Sequence, residues 1–158
     1  PTDSTANRSS TDSVNTTPAP APEQQKTVPV NVKPNISDLE KVGQTMSVTT
    51  FNGDIAKGQE AGEKWVGSPL TVALRFAGEG FDSKNKTVEV ESLSGGEVFD
   101  KVLVSITEDG YLDDSLRGSM VILRMEEDNG LWKISSAKKV WRCWESRGHT
   151  AYNSEPCH

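Results

Sequence analysis

Nine residues near the C-terminus, WRCWESRGH (Trp141 to His149), bring together two tryptophans, a cysteine, two arginines and a histidine. Three chemistries follow from those types. Cys143 and Cys157 are the only two cysteines, and their simplest use is one disulfide closing the intervening loop, worth on the order of 3 kcal/mol for a loop of about 15 residues. The rival is a thiol nucleophile, or a zinc site completed by the imidazoles of His149 and His158, although the close Cys-X-X-Cys pair usual in zinc sites is missing. As a general base, His149 would need an orienting carboxylate and a nucleophile at a recognisable spacing, and the sequence offers neither. The bland reading is that Arg147 and His149 satisfy backbone carbonyls in an irregular loop.

The tryptophans suggest binding. On a strand, Trp141 and Trp144 point to opposite faces, so one would join the core while the other lies outside under an arginine. Trp141, Arg142, Trp144, Arg147, His149 and Tyr152 would then form a binding surface, unless Trp144 simply packs under the disulfide loop. The pair Asp113-Asp114 would suit Ca²⁺, but the periodic oxygens of a calcium loop are absent, and turn-forming aspartates explain the pair as well. No metal and no cofactor is expected. Gly-X-Ser-X-Gly elbows, phosphate-cradling glycine loops and His-Glu-X-X-His helices do not occur.

The elements that must position these residues are readable in part. SDLEKVG offers a helix capped by Ser37 and stopped by Gly43. QTMSVTTFNG alternates Met46 and Val48 with polar neighbours before Asn52-Gly53, which predicts a short strand and a turn. In SPLTVALRFAG, Ser68 caps, Pro69 takes the first helical position, Leu70, Ala73, Leu74 and Ala77 form one face, and Gly78 ends the helix. Trp65, just before it, is expected in the core. The period then changes to two. KTVEVES, DKVLVSITED, GSMVILRMEED and LWKISSAKKVWRCW alternate apolar and polar residues, separated by Ser94-Gly95-Gly96, by DGYLDDSLRG and by Asp128-Asn129-Gly130. Residues 86–144 therefore read as an antiparallel meander.

The whole is an α+β fold, a helix packed on a curved antiparallel β-meander. Its last hairpin, EEDNGLWKISSAK, resembles the closing half of the nuclear-transport-factor-2-like (NTF2-like) cone fold over about residues 60–142. The segments WVGSPLTVALRFAG, GYLDDSLRG and WRCWESRGHTAYNSEPC are also similar to those of a group of uncharacterised secreted or lipid-anchored bacterial proteins, a resemblance that implies a compartment but no activity.

Organisation and composition set the remaining bounds. At 158 residues there is room for one ordinary domain. Residues 1–34 are rich in Ser, Thr, Asn and Pro with no aromatic residue, too little to offset ordering entropy, and read as a disordered tether; residues 35–158 read as a single α+β domain. The chain starts at Pro1 without a methionine, as expected of a processed product or a trimmed chain, and a Thr/Ser/Pro tail of this kind commonly follows a lipid-modified cysteine in bacterial lipoproteins. The membrane would be met only through such an anchor. The net charge of −6 leaves no dominant basic face for phosphates, so nucleic acid is not the expected partner. From Leu131 on, however, Lys133, Lys138, Lys139, Arg142 and Arg147 outnumber Glu145 and Glu155, and these bases are expected to pair with the acidic middle of the chain.

The functional expectation is an extracytoplasmic, surface-tethered binding domain without catalytic activity, holding an envelope or protein partner by the C-terminal loop or a small apolar ligand in the sheet's concavity. The alternatives are a cone-fold protein with acid–base activity, served by His149 or an inward carboxylate of YLDD, and a purely structural surface protein.

Overall fold

The computed structural model describes residues 33–78 and 82–158. The tether reading of residues 1–34 falls outside them, apart from Lys33 and Pro34.

Three helices and five strands follow in the order α1 (Ile36–Val42), β1 (Gln44–Thr45), α2 (Thr49–Glu60), a 3₁₀ turn (Lys64–Gly67), α3 (Pro69–Ala77), β2 (Asn85–Ser92), β3 (Lys101–Asp109), β4 (Leu116–Asp128) and β5 (Leu131–Cys143). The strands form one open antiparallel sheet in the order β1-β5-β4-β3-β2. The meander is therefore present, and β4 turns into β5 through Asn129 and Gly130, both at positive φ, as a two-residue hairpin of this twist requires.

Both faces of the sheet are covered. On one, Val102, Val104, Ile106, Val121, Leu123, Met125, Trp132, Ile134 and Ala137 meet Ile55 of α2, Val66 of the 3₁₀ turn and Val72 and Ala73 of α3. On the other, Leu103, Met120, Ile122 and Val140 pack under Leu39 of α1, with Ile36 and Tyr152 at the margin. The second face is smaller and is clamped by Arg124 of β4, whose Nε and Nη2 each donate at 2.7 Å to the Glu40 carboxylate of α1.

Four expectations are corrected. The first helix is capped by Asn35, whose side chain accepts from the Ser37 amide at 3.0 Å, and not by Ser37. The strand and Asn52-Gly53 turn are replaced by α2: only Gln44 and Thr45 pair with β5, Met46 adds one amide bond to Ala137 O, and Asn52 and Gly53 lie inside the helix. Phe51, Ile55 and Gly58 recur at helical spacing, so burying them together outweighs the two-residue alternation of Met46 and Val48. At Gly58 a Cβ would stand 2.9 Å from Val66 Cγ1 and 3.1 Å from the Trp65 ring; the glycine lets α2 lie directly on the 3₁₀ turn. In α3 the innermost residues are Val72 and Ala73, while Leu70 is 40% exposed. The buried stripe is rotated because Phe76 stands edge-on to Phe51, 5.2 Å between centroids. Trp65 packs only partly into the core, its ring 4.5 Å beneath the Arg75 guanidinium.

Candidate functional site

β5 carries the C-terminal constellation and ends at Cys143, which is fully buried and disulfide-bonded to Cys157. Between them residues 144–156 fold back along the same strand. Trp141 and Asn153 exchange two backbone hydrogen bonds, 2.8 and 2.9 Å, and the Cys143 amide donates to His149 O at 2.8 Å. Ser154 Oγ donates to Val42 O at 2.6 Å, tying the loop to the end of α1. Backbone without helix or ladder must find such partners one by one, and this loop does so.

His149 sits at the centre of that accounting. Nδ1 lies 2.7 Å from Ala151 O and Nε2 2.8 Å from Glu155 O. Both neighbours are acceptors, so a neutral ring donates to one of them and an imidazolium to both. Neither nitrogen faces a nucleophile. Arg147 contacts Asp114 at 3.6 Å with both side chains largely exposed, an ion pair of little energetic weight.

The two tryptophans do not divide into one core and one surface residue. Trp144 follows the end of β5, so strand alternation no longer governs it; its Nε1–H donates to Asp113 O at 2.9 Å and Arg117 lies over its ring at 5.4 Å. Trp141 donates from Nε1 to Glu155 O at 2.7 Å. Both are partly exposed. Asp113 spends its carboxylate on the Ser115 and Leu116 amides and the Ser115 hydroxyl, and those donors hold its carboxyl below the usual range. It acts as the turn-former of the β3–β4 connection.

Arg142 belongs to a partly buried charge cluster that its sequence neighbours do not disclose. Its Nη2 donates to Asp109 Oδ2 at 2.5 Å, Arg117 Nε lies 3.8 Å from Asp109 Oδ1, and the guanidinium covers the Tyr152 ring at 5.4 Å. Burial pushes Asp109 up, but the Arg142 hydrogen bond and charge, the Gly110 amide and Arg117 outweigh it and hold the carboxyl low. Gly118 makes the approach feasible, since a Cβ there would come within 2.6 Å of Glu108 O and 2.8 Å of Asp109 Oδ1. On the opposite face of β3, Tyr111 donates to Glu108 at 2.5 Å and lies 2.9 Å from Ser119 Oγ, while Lys86 reaches Glu108 at 2.8 Å. Burial and the Glu108 contact push the Tyr111 phenol up to about 12. Glu108 is raised by burial but lowered more by its bonds to Lys86 and Tyr111. At neutral pH the cluster is thus a carboxylate beside a neutral phenol, and neither is poised to exchange a proton.

Sequence reasoning missed Glu108, Asp109, Tyr111, Ser119 and Lys139. They lie on β3, the β3–β4 connection, β4 and β5, and what brings them together is the register of the sheet. Lys139 matters because it lines, with Trp141, Asp113, Ser115, Leu116 and Cys157, an open cleft of about 380 Å³ beside the disulfide. Of the binding residues expected from sequence, Trp141 alone lines this cleft. Arg142 and Tyr152 are turned to the α1 side, and Trp144, Arg147 and His149 are spent on the loop.

None of the described helices is long and apolar enough to cross a membrane. No family model, curated protein or solved structure matches the chain.

Proposed function

We propose that this protein is an extracytoplasmic binding domain, carried on its Ser/Thr/Pro-rich N-terminal segment, that holds an envelope or protein partner in the cleft beside the C-terminal disulfide. One observation carries the reading: Lys139 and Trp141, two positions apart on the same face of β5, stand together in that cleft, and among the described residues the Lys139 ammonium is in no ion pair, although Arg142 and Arg147, which follow Trp141, are paired. A cation and an indole left accessible on a rigid rim suit an acidic partner surface. The disulfide supports the oxidising compartment. The cone-fold likeness remains part of this reading at the level of a helix-covered antiparallel sheet.

The test is capture of envelope material from the native host on the immobilised, oxidised domain. Lys139→Glu should lose at least about tenfold in capture with an unchanged melting temperature, while Lys101→Glu, in the ladder far from the cleft, should capture as the wild type does. Equal capture by Lys139→Glu and wild type refutes the cleft as the binding surface. A small molecule retained in native mass spectrometry, with no macromolecular partner, would instead support ligand carriage.

A further inference from the structure

The geometry points to a second state of the C-terminal cluster: on reduction of the disulfide, Cys143, Cys157 and His149 form a zinc-binding site. The Sγ atoms and an imidazole nitrogen all lie within 4.8 Å of one another. A tetrahedral zinc with bonds of about 2.0–2.3 Å holds its ligands roughly 3.5 Å apart, so once the S–S bond is cut the two sulfurs part by about 1.5 Å and the imidazole closes by on the order of 1 Å. Cys143 is fixed in β5 by its ladder pairing with Leu116 and by its amide bond to His149 O, so Cys157, which lies outside the ladder, is the partner that shifts.

The surroundings resemble the outer support of a metal site more than those of a plain staple. A ligating histidine usually donates its other ring N–H to a carbonyl or carboxylate, which fixes the tautomer. His149 has a carbonyl at hydrogen-bond distance from each nitrogen, Ala151 O and Glu155 O. Giving up one bond to the metal therefore leaves the other in place as the orienting contact. Gly148, with φ of +134°, brings the backbone so close to Cys143 that a Cβ would meet Sγ at 2.9 Å, so the loop that carries His149 lies directly against the sulfur. Three protein ligands leave a fourth position for water.

The step balances with a dithiol as reductant. Two electrons and two protons pass from the dithiol to the two sulfurs, the Cys143–Cys157 bond breaks, and the reductant leaves as its own cyclic disulfide. Zinc then binds both sulfurs as thiolates and releases the two thiol protons. The same loop is thus stapled by a covalent bond in an oxidising compartment and by a metal in a reducing one, before export or under thiol stress. This state is independent of partner capture, because Lys139 is not among the ligands.

The test uses the full chain, reduced anaerobically with a dithiol, freed of reductant and titrated with Co²⁺ as the spectroscopic stand-in for zinc, with circular dichroism recorded on the same samples. The reduced chain should take up one Co²⁺ with a thiolate-to-cobalt charge-transfer band and retained sheet signal, and zinc should displace it. The oxidised chain should take up none at the same concentrations. His149→Ala should weaken uptake on the order of tenfold or more and shift the d–d bands. Absence of the charge-transfer band, undiminished affinity in His149→Ala, or uptake only by chains that have lost the sheet signal would each overturn the site.

Discussion

The Asp109–Arg142 pair ties the end of β3 to the end of β5. Its carboxylate and guanidinium are three-quarters covered or nearly so, with side-chain exposures of 30% and 24%, so removing one partner leaves the other short of solvent. Asp109→Asn keeps the shape and removes the charge; it should lower the unfolding free energy by about 1–3 kcal/mol at pH 7, the usual cost of an unsatisfied buried partner. The pH dependence has a definite sign. The folded carboxyl lies below its ordinary value, so the stabilisation is complete above the unfolded value of about 4 and is lost as pH falls through the lower, folded value. Urea midpoints of wild type and Asp109→Asn should therefore differ at pH 7 and converge as the pH falls through the lowered, folded value. A constant gap across that range would show that the pair contributes through shape rather than charge. Glu108, also held low, acts in the same direction and steepens the acid transition in both proteins.

At the scale of elements, the free edge of β5 is the feature that organises the molecule. An uncovered edge presents unpaired backbone groups to any other strand. Here four separate segments cover it in turn: Asn52 of α2, which accepts from the Ile134 amide at 3.1 Å and donates to Ile134 O at 2.9 Å; Met46 and β1 at Ala137 to Lys139; Asn153 at Trp141; and His149 at Cys143. Asn52→Ala should cost about 1–3 kcal/mol and expose the Ile134 amide to fast hydrogen exchange while Leu123 and Val121 in the sheet interior keep their protection. Unchanged exchange at Ile134 would mean that another group supplies the bond. This arrangement also explains what could be read in advance. The strands of the meander and the Asp128-Asn129-Gly130 hairpin were legible because alternation and turn chemistry are local. Asn52 looked like a turn residue because its neighbour is Gly53, and only the partner 82 positions away makes it an edge cover. The bulge at Ser135, where Arg124 pairs with Ser136 but Met125 with Ile134, puts Trp132, Ile134 and Ala137 on one face; a strict period of two would have split them. Nothing in the sequence near Lys139 announces the cleft, since the Asp113–Leu116 wall comes from a different loop.

For the whole molecule, the question is how much the C-terminal loop holds the rest. The disulfide closes 14 positions of chain, which in the chain-entropy account is worth about 3 kcal/mol. The loop has other anchors, however: Tyr152 against the Leu39 cluster, Ser154 on Val42 and the Asn153 bridge. Cys143→Ala/Cys157→Ala should therefore lower stability by about 3 kcal/mol without abolishing the fold, because most of the apolar core lies between the sheet and α2 and α3. Hydrogen exchange separates the local from the global effect. The Trp141 and Cys143 amides, which donate to Asn153 O and His149 O, should lose protection by more than the global change accounts for, since the loop can now open alone. Val104 and Leu123, buried on the α2/α3 face, should lose only the global amount. If protection instead falls equally at all four amides, loop and core unfold together; the cleft at Trp141 is then only as rigid as the whole domain, and a partner bound there would stabilise the entire sheet rather than its C-terminal edge.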